Sequence, residues 1–163
     1  MSFFTIRPVT DKAEDLHILA RFCVDLAAHD GYKIEINARE LGEQLFFGGT
    51  NVRAFFGERD RRPIGFVMFY EAFTSYGCQR GLYIPGIYVE KEYQRLGYGI
   101  RLYRFVARYA LDHGFQFISG VVESHNEMAK DLYKKAGAVI YPGWSYCTIG
   151  REDLEKAAAM SHA

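Results

Sequence analysis

The stretch Gln94-Arg95-Leu96-Gly97-Tyr98-Gly99 joins an apolar run, residues 82–89, to an amphipathic segment, residues 100–111. A glycine-containing turn between a strand and a helix leaves backbone N–H groups unpaired at the positive end of the helix dipole, and such an end binds phosphate. The stretch therefore predicts a site for a phosphorylated ligand at the backbone of residues 95–100. A lone Gly-x-Gly is equally typical of a tight turn that binds nothing, so the prediction needs support from elsewhere in the chain.

Support comes from residues 121–138, where Asn126, Ala129, Tyr133 and Gly137 have the spacing of one helix. A strand is expected to end near Glu123, the helix to begin near Asn126, and Gly137 to end it. Together the two stretches resemble the GNAT acetyltransferase superfamily. The first matches its Gln/Arg-x-x-Gly-x-Gly acetyl-CoA loop, and the second matches its Asn-x-x-Ala-x-x-x-Tyr-x-x-x-Gly helix, in the same order along the chain.

The resemblance covers nearly the whole chain and implies an α+β fold, with a mixed, mostly antiparallel central sheet flanked by helices. Residues 1–150 would form a single domain, and residues 151–163 a short polar tail. Within the superfamily the chain looks closest to the diamine (spermidine/spermine-like) acetyltransferases. That branch has a Glu-Asp pair after its Leu-Tyr-Leu, whereas this chain has Pro85-Gly86 there. The departure predicts that long polyamines lose the charge attraction that favours them.

Acetyl-CoA is the cosubstrate that the resemblance implies, and no metal is expected. A strand edge at residues 87–89 suits the pantetheine amides, and Tyr133 resembles the superfamily's general acid. For Tyr133 and Tyr88, packing in the core is the alternative from the residues alone, and for Asn126 it is a plain helix cap. The residues expected to contact acetyl-CoA are Ile87, Tyr88, Val89, Gln94, Arg95, Leu96, Gly97, Tyr98, Gly99, Ile100, Asn126 and Tyr133.

The acceptor amine arrives mostly as ammonium and must lose a proton before it attacks the thioester. Polar residues that suit an acceptor site are Asp30, Tyr32, Glu35, Glu71 and His125. The general base is left open among Glu71, Glu123, His125 and the loop of residues 30–35. Each of these is also typical of an ordinary solvated surface residue.

Composition limits the classes of function. The chain has 163 residues, 49% of them hydrophobic, and 20 basic side chains balance 20 acidic ones, so no net field attracts nucleic acid. No stretch approaches the roughly 20 apolar residues of a membrane span, and the N-terminus does not resemble a secretion signal. Cys23, Cys78 and Cys147 have no metal-ligand spacing and read as reduced thiols. We expect a soluble, cytoplasmic protein without nucleic-acid or membrane partners.

Local patterns predict the remaining elements. A strand is expected over residues 3–7. A capping box at residues 11–14 predicts the start of a first helix, and a second helix is expected after Asn37. Residues 58–63 are typical of a hairpin turn between two strands. Further strands are expected over residues 115–122 and, closing the sheet, over residues 139–149.

The sequence thus predicts an N-acetyltransferase that moves acetyl to a primary amine of a small molecule by direct attack in a ternary complex. One alternative keeps the reaction and changes the acceptor to a protein lysine or N-terminus. Another is a non-catalytic, regulatory domain that binds CoA. The resemblance also implies a homodimer, for which the aromatic residues 141–146 offer a contact.

Overall fold

The structure of the chain, a computed structural model, describes residues 3–160. Five strands and five α-helices follow one another within this part. A π-helical turn, Glu43–Phe47, continues α2, and a single 3-10 turn, Lys91–Tyr93, precedes α3. In chain order the elements are β1 (Phe4–Pro8), α1 (Ala13–His29), α2 (Ala38–Gly42), β2 (Arg53–Arg59), β3 (Arg62–Thr74), β4 (Gln79–Val89), α3 (Tyr98–Asp112), β5 (Ile118–Gly120), α4 (Glu127–Lys135) and α5 (Arg151–Ala158).

The strands form one sheet in the order β1-β2-β3-β4-β5. The first four strands pair antiparallel as a meander, and β5 pairs with β4 in parallel. A parallel neighbour requires a crossover connection, which α3 provides. The predicted α+β fold with a mixed, mostly antiparallel sheet is confirmed.

Alternate residues of the central strand β3 supply two hydrophobic cores, one on each face of the sheet. Phe66 faces α1, where its ring lies 6.2 Å from that of Phe22. Val67 and Phe69 face α3 and belong to the core that contains Leu102 and Val106. This period of two explains why β3 is apolar nearly throughout, since both of its faces are covered.

The pairing around β4 changes abruptly near Pro85. Met68 pairs with Gly86 but Tyr70 pairs with Tyr83, so the β3–β4 register shifts between them. On the other side, the pairing of β4 with β5 ends at Ile84. Proline removes a backbone donor from the ladder and a shifted register bends the strand. Residues 85–89 of β4 therefore turn a free backbone edge toward α4, with no strand of the described residues paired to it.

Several local predictions are correct. Asn37 caps α2 by accepting hydrogen bonds from the N–H groups of Arg39 and Glu40, at 2.9 and 3.2 Å. The hairpin between β2 and β3 turns at Asp60 and Arg61, both of which have positive φ, as a two-residue hairpin turn requires.

Among residues 3–160, no helix is long and apolar enough to cross a membrane.

Three local predictions are wrong. The capping box does not form, because Lys12 occupies the N-cap of α1 and makes no side-chain cap bond there. The strand predicted over residues 115–122 is only Ile118–Gly120, since β4 offers it a partner only as far as Ile84. The closing strand over residues 139–149 is absent from the described chain, where that segment is almost wholly exposed and pairs with no strand.

Candidate active site

The loop before α3 presents unpaired backbone donors. Gly97 is the N-cap, with a φ of +85°, and the helix's first backbone hydrogen bond runs from the Arg101 N–H to the Gly97 carbonyl at 3.2 Å. Within the described chain, the N–H groups of Tyr98, Gly99 and Ile100 precede that bond and donate to no backbone acceptor. They point outward at the positive end of the α3 dipole, an arrangement that suits an anion.

Backbone conformation concentrates further donors in the same loop. Arg95 has a φ of +62°, which is uncommon for a residue with a side chain, and Gly97 repeats a positive φ two positions later. Alternation of this kind turns successive N–H groups toward one concave side. Gln94 holds the loop against the sheet, because its side-chain amide donates to the Val89 carbonyl at 2.9 Å.

The other side chains of the loop do not converge on this surface. Tyr98 is buried against Phe4, with ring centroids 5.0 Å apart, and Leu96 is exposed. Arg101 lies over the Phe4 ring at 4.3 Å, on the solvent side of α3. The loop thus offers its backbone rather than a cluster of cationic side chains.

A cleft opens beside the splayed part of β4. One wall is the strand backbone at Ile84–Ile87, and the opposite wall is α4 with the segment that precedes it. The end of α1 closes the cleft on the third side. Its remaining lining residues are Leu26, Asp30, Val121, Val122, Glu123, Asn126, Ala129 and Tyr133.

Tyr133 lies on the inner face of α4 and faces this cleft. Its ring packs against Tyr103 of α3, with centroids 5.7 Å apart. Burial raises the pKa of the Tyr133 phenol to about 12, and the nearby Tyr103, Asp30 and Tyr83 add to the rise. The phenol is therefore a protonated hydrogen-bond donor throughout the neutral pH range.

Asn126 both caps α4 and lines the cleft. Its Oδ1 accepts from the Ala129 N–H at 3.0 Å, so Asn126 is a helix cap. The same residue lines the cleft, where the predicted contact with the cofactor would be made. Ile87 lines the cleft as well. The Tyr88 ring, by contrast, lies on the α1 face of the sheet, 6.0 Å from Phe22, so the alternative of core packing holds for this side chain. The backbone of Tyr88 pairs with Phe66 of β3, and Tyr88 does not line the cleft.

Two carboxylates stand at the mouth of the cleft, opposite Tyr133. Asp30 follows the last residue of α1 and Glu123 precedes α4; the Tyr32 hydroxyl donates to Glu123 at 3.1 Å. Burial raises the pKa of Asp30, and the negative charge of Glu123 raises it further against the opposing effects of His29 and His125. Within residues 3–160, Asp30 forms no salt bridge.

The structure separates the other predicted acceptor residues from this group. Glu71 lies at the far end of β3 and pairs with Arg80 at 3.0 Å. Glu35 is exposed in the loop after α1 and does not line the cleft. His125 is exposed but close enough to influence the pKa of Asp30.

Sequence reasoning missed two features of the site. One is Tyr103, whose ring supports Tyr133; it lies one helical turn after Gly99 on the α3 face that meets α4, and this spacing is the signal that was available. The other is the Tyr32–Glu123 hydrogen bond, which joins residues far apart in sequence and leaves no local pattern. Among the described residues, no group of three or more His, Cys, Asp or Glu side chains is placed to hold a metal ion.

Comparison with known proteins is consistent with this geometry. A sequence profile of the family described as "Acetyltransferase (GNAT) family" matches residues 23–138, which include α3, the cleft and α4.

Tyramine N-feruloyltransferase 4/11 of Nicotiana tabacum is 29% identical over 61% of this chain and 44% of its own length. L-ornithine N5-acetyltransferase NATA1 of Arabidopsis thaliana is 30% identical over 56% of this chain and 40% of its own. Thialysine N-epsilon-acetyltransferase of Bos taurus is 35% identical over 46% of this chain and 44% of its own. The matched regions thus span less than half the length of these relatives.

A solved structure shares the fold over almost the whole chain. The integron cassette protein VCH_CASS6, from the mobile metagenome of V. cholerae, superposes with a TM-score of 0.75, and the alignment covers 96% of this chain and 98% of that one. The two sequences are 21% identical, so this likeness concerns the fold alone.

Proposed function

The chain belongs to the GNAT acetyltransferase family, and from this premise we propose that it transfers the acetyl group of acetyl-CoA to a primary amine of a small molecule. The observation that carries the proposal is one continuous surface. It runs from the unpaired N–H groups at the start of α3, along the free edge of β4, to the phenol of Tyr133. Its chemistry corresponds to a pyrophosphate, an amide-bearing arm and a thioester in that order.

The residues present fit acetyl-CoA. At Gly97 an added Cβ would meet no protein atom within 4 Å, so the glycine leaves open space beside the exposed donors instead of filling a packing gap. The N–H groups of Tyr98, Gly99 and Ile100 would hold the pyrophosphate. The edge of β4 at Ile87 and the N–H of Val89, whose carbonyl already accepts from Gln94, would bind the pantetheine amides as a strand binds an extended peptide.

Tyr133 supplies the acid in this proposal. The amine nitrogen attacks the thioester carbon, the C–S bond then breaks, and the Tyr133 hydroxyl protonates the departing sulfur. A phenol whose pKa is about 12 keeps its proton at neutral pH, so it is present as a hydrogen-bond donor to the sulfur when negative charge develops there. Holding both substrates in one cleft supplies much of the rate through proximity, without a covalent intermediate on the protein.

The names of the relatives favour a small amine as acceptor. Ornithine, thialysine and tyramine each carry a primary amine on a short flexible arm, which a cleft open to solvent can admit. A protein lysine or N-terminus is the alternative acceptor. A regulatory domain that only binds CoA is the alternative from a different class, and the intact Tyr133 favours an enzyme over it.

Release of the CoA thiol from acetyl-CoA, measured across a panel of amines, tests the proposal. The panel holds ornithine, thialysine, tyramine, spermine and a lysine-containing peptide, and a thermal shift with acetyl-CoA is recorded in parallel. We expect ligand-induced stabilisation and thiol release that depends on a small amine. Stabilisation without release from any acceptor would favour the regulatory domain, and release with the peptide alone would favour a protein acceptor.

We also propose that the chain forms a homodimer through residues 141–146. This segment contains no charged residue, and Tyr141, Trp144 and Tyr146 are 66%, 73% and 74% exposed. Apolar, aromatic patches of this kind are uncommon on monomers and typical of the cores of interfaces. Trp144→Asp should give a monomer in light scattering at a concentration where the unaltered protein is a dimer. A monomeric unaltered protein would refute this contact.

A cytoplasmic location remains a proposal. It is supported by Cys78 and Cys147, which are exposed free thiols and would persist best in a reducing compartment. Quantifying free thiols in protein freshly purified from the cytoplasm tests the expected reduced state.

A further inference from the structure

The proposed reaction needs a general base, and the end of α1 provides a suitable carboxylate. An alkylammonium acceptor must lose a proton before its nitrogen attacks, and the resemblance to known acetyltransferases left the base unassigned. Building on the proposed function, we propose that Asp30 is the general base of this enzyme and takes the proton from the acceptor's ammonium group.

Asp30 lies where a base is needed. It lines the same cleft as Tyr133, and its charge is close enough to raise the pKa of that phenol. The acceptor would therefore enter between the acid on α4 and the carboxylate at the end of α1. The splayed backbone at Pro85 and Gly86 forms the cleft wall beside them.

The backbone around Asp30 is fixed by the cap of α1. The N–H of Asp30 donates to the Leu26 carbonyl at 3.0 Å, and the N–H of Tyr32 donates to the Ala27 carbonyl at 2.8 Å. Gly31 has a φ of +90°, as such a helix end requires. The carboxylate thus projects from a rigid position, which a proton acceptor requires.

The position of Asp30 lowers the stability of the fold, and no structural role for this carboxylate is evident. A carboxylate at a helix C-terminus faces the negative end of the dipole, and Asp30 is half-buried beside a second carboxylate, Glu123. No Lys or Arg of the described residues compensates it. These surroundings raise the pKa of Asp30 and make it a better base, while the two carboxylates attract a cation into the cleft.

The other candidates are less suited to this role. Glu71 is paired with Arg80 away from the cleft, and His125 is exposed outside it. Glu123 lines the cleft, but one of its carboxylate oxygens already accepts the Tyr32 hydroxyl at 3.1 Å. We therefore assign Glu123 a positioning role, in which its negative charge keeps Asp30 basic.

The proton balance closes with these two groups. Asp30 takes one proton from R–NH3+, and the free amine attacks the thioester to form the C–N bond. When the C–S bond breaks, Tyr133 gives its proton to the sulfur and regains one from the nitrogen of the new amide. Asp30 then releases its proton to solvent, so that the net products are the amide, free CoA and one proton.

The test compares two acceptors of different basicity in a thiol-release assay. One is an ordinary alkylamine, which is charged at neutral pH; the other is a fluorinated alkylamine, which is already neutral there. Asp30→Asn should lower kcat/KM by about 10²-fold for the alkylamine and by much less for the fluorinated amine, because the second needs no base. Asp11→Asn, at an exposed carboxylate before α1, is the matched control and should change neither value.

The pH dependence gives a second readout. In the unaltered enzyme kcat/KM should fall as the pH drops through the pKa of Asp30, and Asp30→Asn should abolish this limb. Groups that face Asp30 and influence its pKa are His29, Glu123, His125 and Asn126. Because the charge of Glu123 raises that pKa, Glu123→Gln should move the limb to lower pH.

Several outcomes overturn the assignment. An equal loss with both amines would make Asp30 merely structural, and loss of the limb in Glu123→Gln would make Glu123 the base. If Asp30→Asn does not fold, the Glu123→Gln profile decides alone: a limb at lower pH supports Asp30, and an unchanged limb refutes it. An unaltered protein without any amine-dependent thiol release refutes the proposed function itself, a result distinct from these.

Discussion

Gly97 and Gly114 bracket α3 and form a matched pair for testing the anion site. Both have positive φ, +85° and +72°, and at neither would an added Cβ meet an atom within 4 Å. Gly97 stands beside the unpaired N–H groups of the helix start, whereas Gly114 follows the opposite end. Replacement by alanine imposes a left-handed conformation on a residue with a side chain, which costs about 1–2 kcal/mol at either position. In a chain of this size that cost lowers Tm by about 2–8 °C.

Ligand affinity should separate the two variants. A charge-assisted hydrogen bond contributes about 1.5–3 kcal/mol, so misplacing one N–H from the pyrophosphate weakens binding about 10- to 100-fold. We expect this loss for Gly97→Ala in a calorimetric titration with acetyl-CoA, and an affinity close to that of the unaltered protein for Gly114→Ala. Equal affinities in two variants with similar Tm values would refute the assignment of the pyrophosphate to the start of α3.

Three further predictions concern catalysis, selectivity and stability. Tyr133→Phe should lower kcat by about 10²-fold with little change in acetyl-CoA affinity, while Tyr103→Phe, which keeps the supporting ring, should stay near the unaltered rate in the thiol-release assay. Spermine should be no better an acceptor than a monoamine of similar reach, because Pro85-Gly86 carry no acid; a strong spermine preference at physiological salt would contradict this. The hydrogen bonds from Arg7 and Thr10 lower the pKa of Asp15 from 3.8 to about 2, so its stabilisation is present above about pH 4 and lost as the pH falls toward about 2. Asp15→Asn should therefore cost about 2 kcal/mol at neutral pH in chemical denaturation and remove that part of the acid sensitivity.

The parts of the fold that were predictable are those whose signals are local. Asn37 predicts the start of α2 because its own side chain caps the helix. Gly97, Gly114 and Gly137 predict helix ends because their backbones have positive φ. The cofactor loop was predictable for the same reason, since a strand, two glycines and a helix lie consecutively in sequence.

The parts that failed depend on partners elsewhere in the chain. Residues 139–149 are apolar and β-rich, yet a strand also needs to pair with a neighbour, and this segment pairs with none of the described strands. The capping box predicted at residues 11–14 does not form, because α1 begins at Ala13 and its N-cap is Lys12, which makes no side-chain cap bond. Asp30 was one of several open candidates, because only the folded chain brings the end of α1 opposite Tyr133.

The central claim is that backbone donors at the start of α3 and along the splayed half of β4 bind acetyl-CoA. Hydrogen exchange measured with and without saturating acetyl-CoA tests it most directly, since it reports on those N–H groups themselves. We predict slower exchange at Tyr98, Gly99 and Ile100 and in residues 86–89, and little change in the paired residues of β1 and β2. Unchanged exchange at both places, in a protein that calorimetry shows to be saturated, would contradict the account.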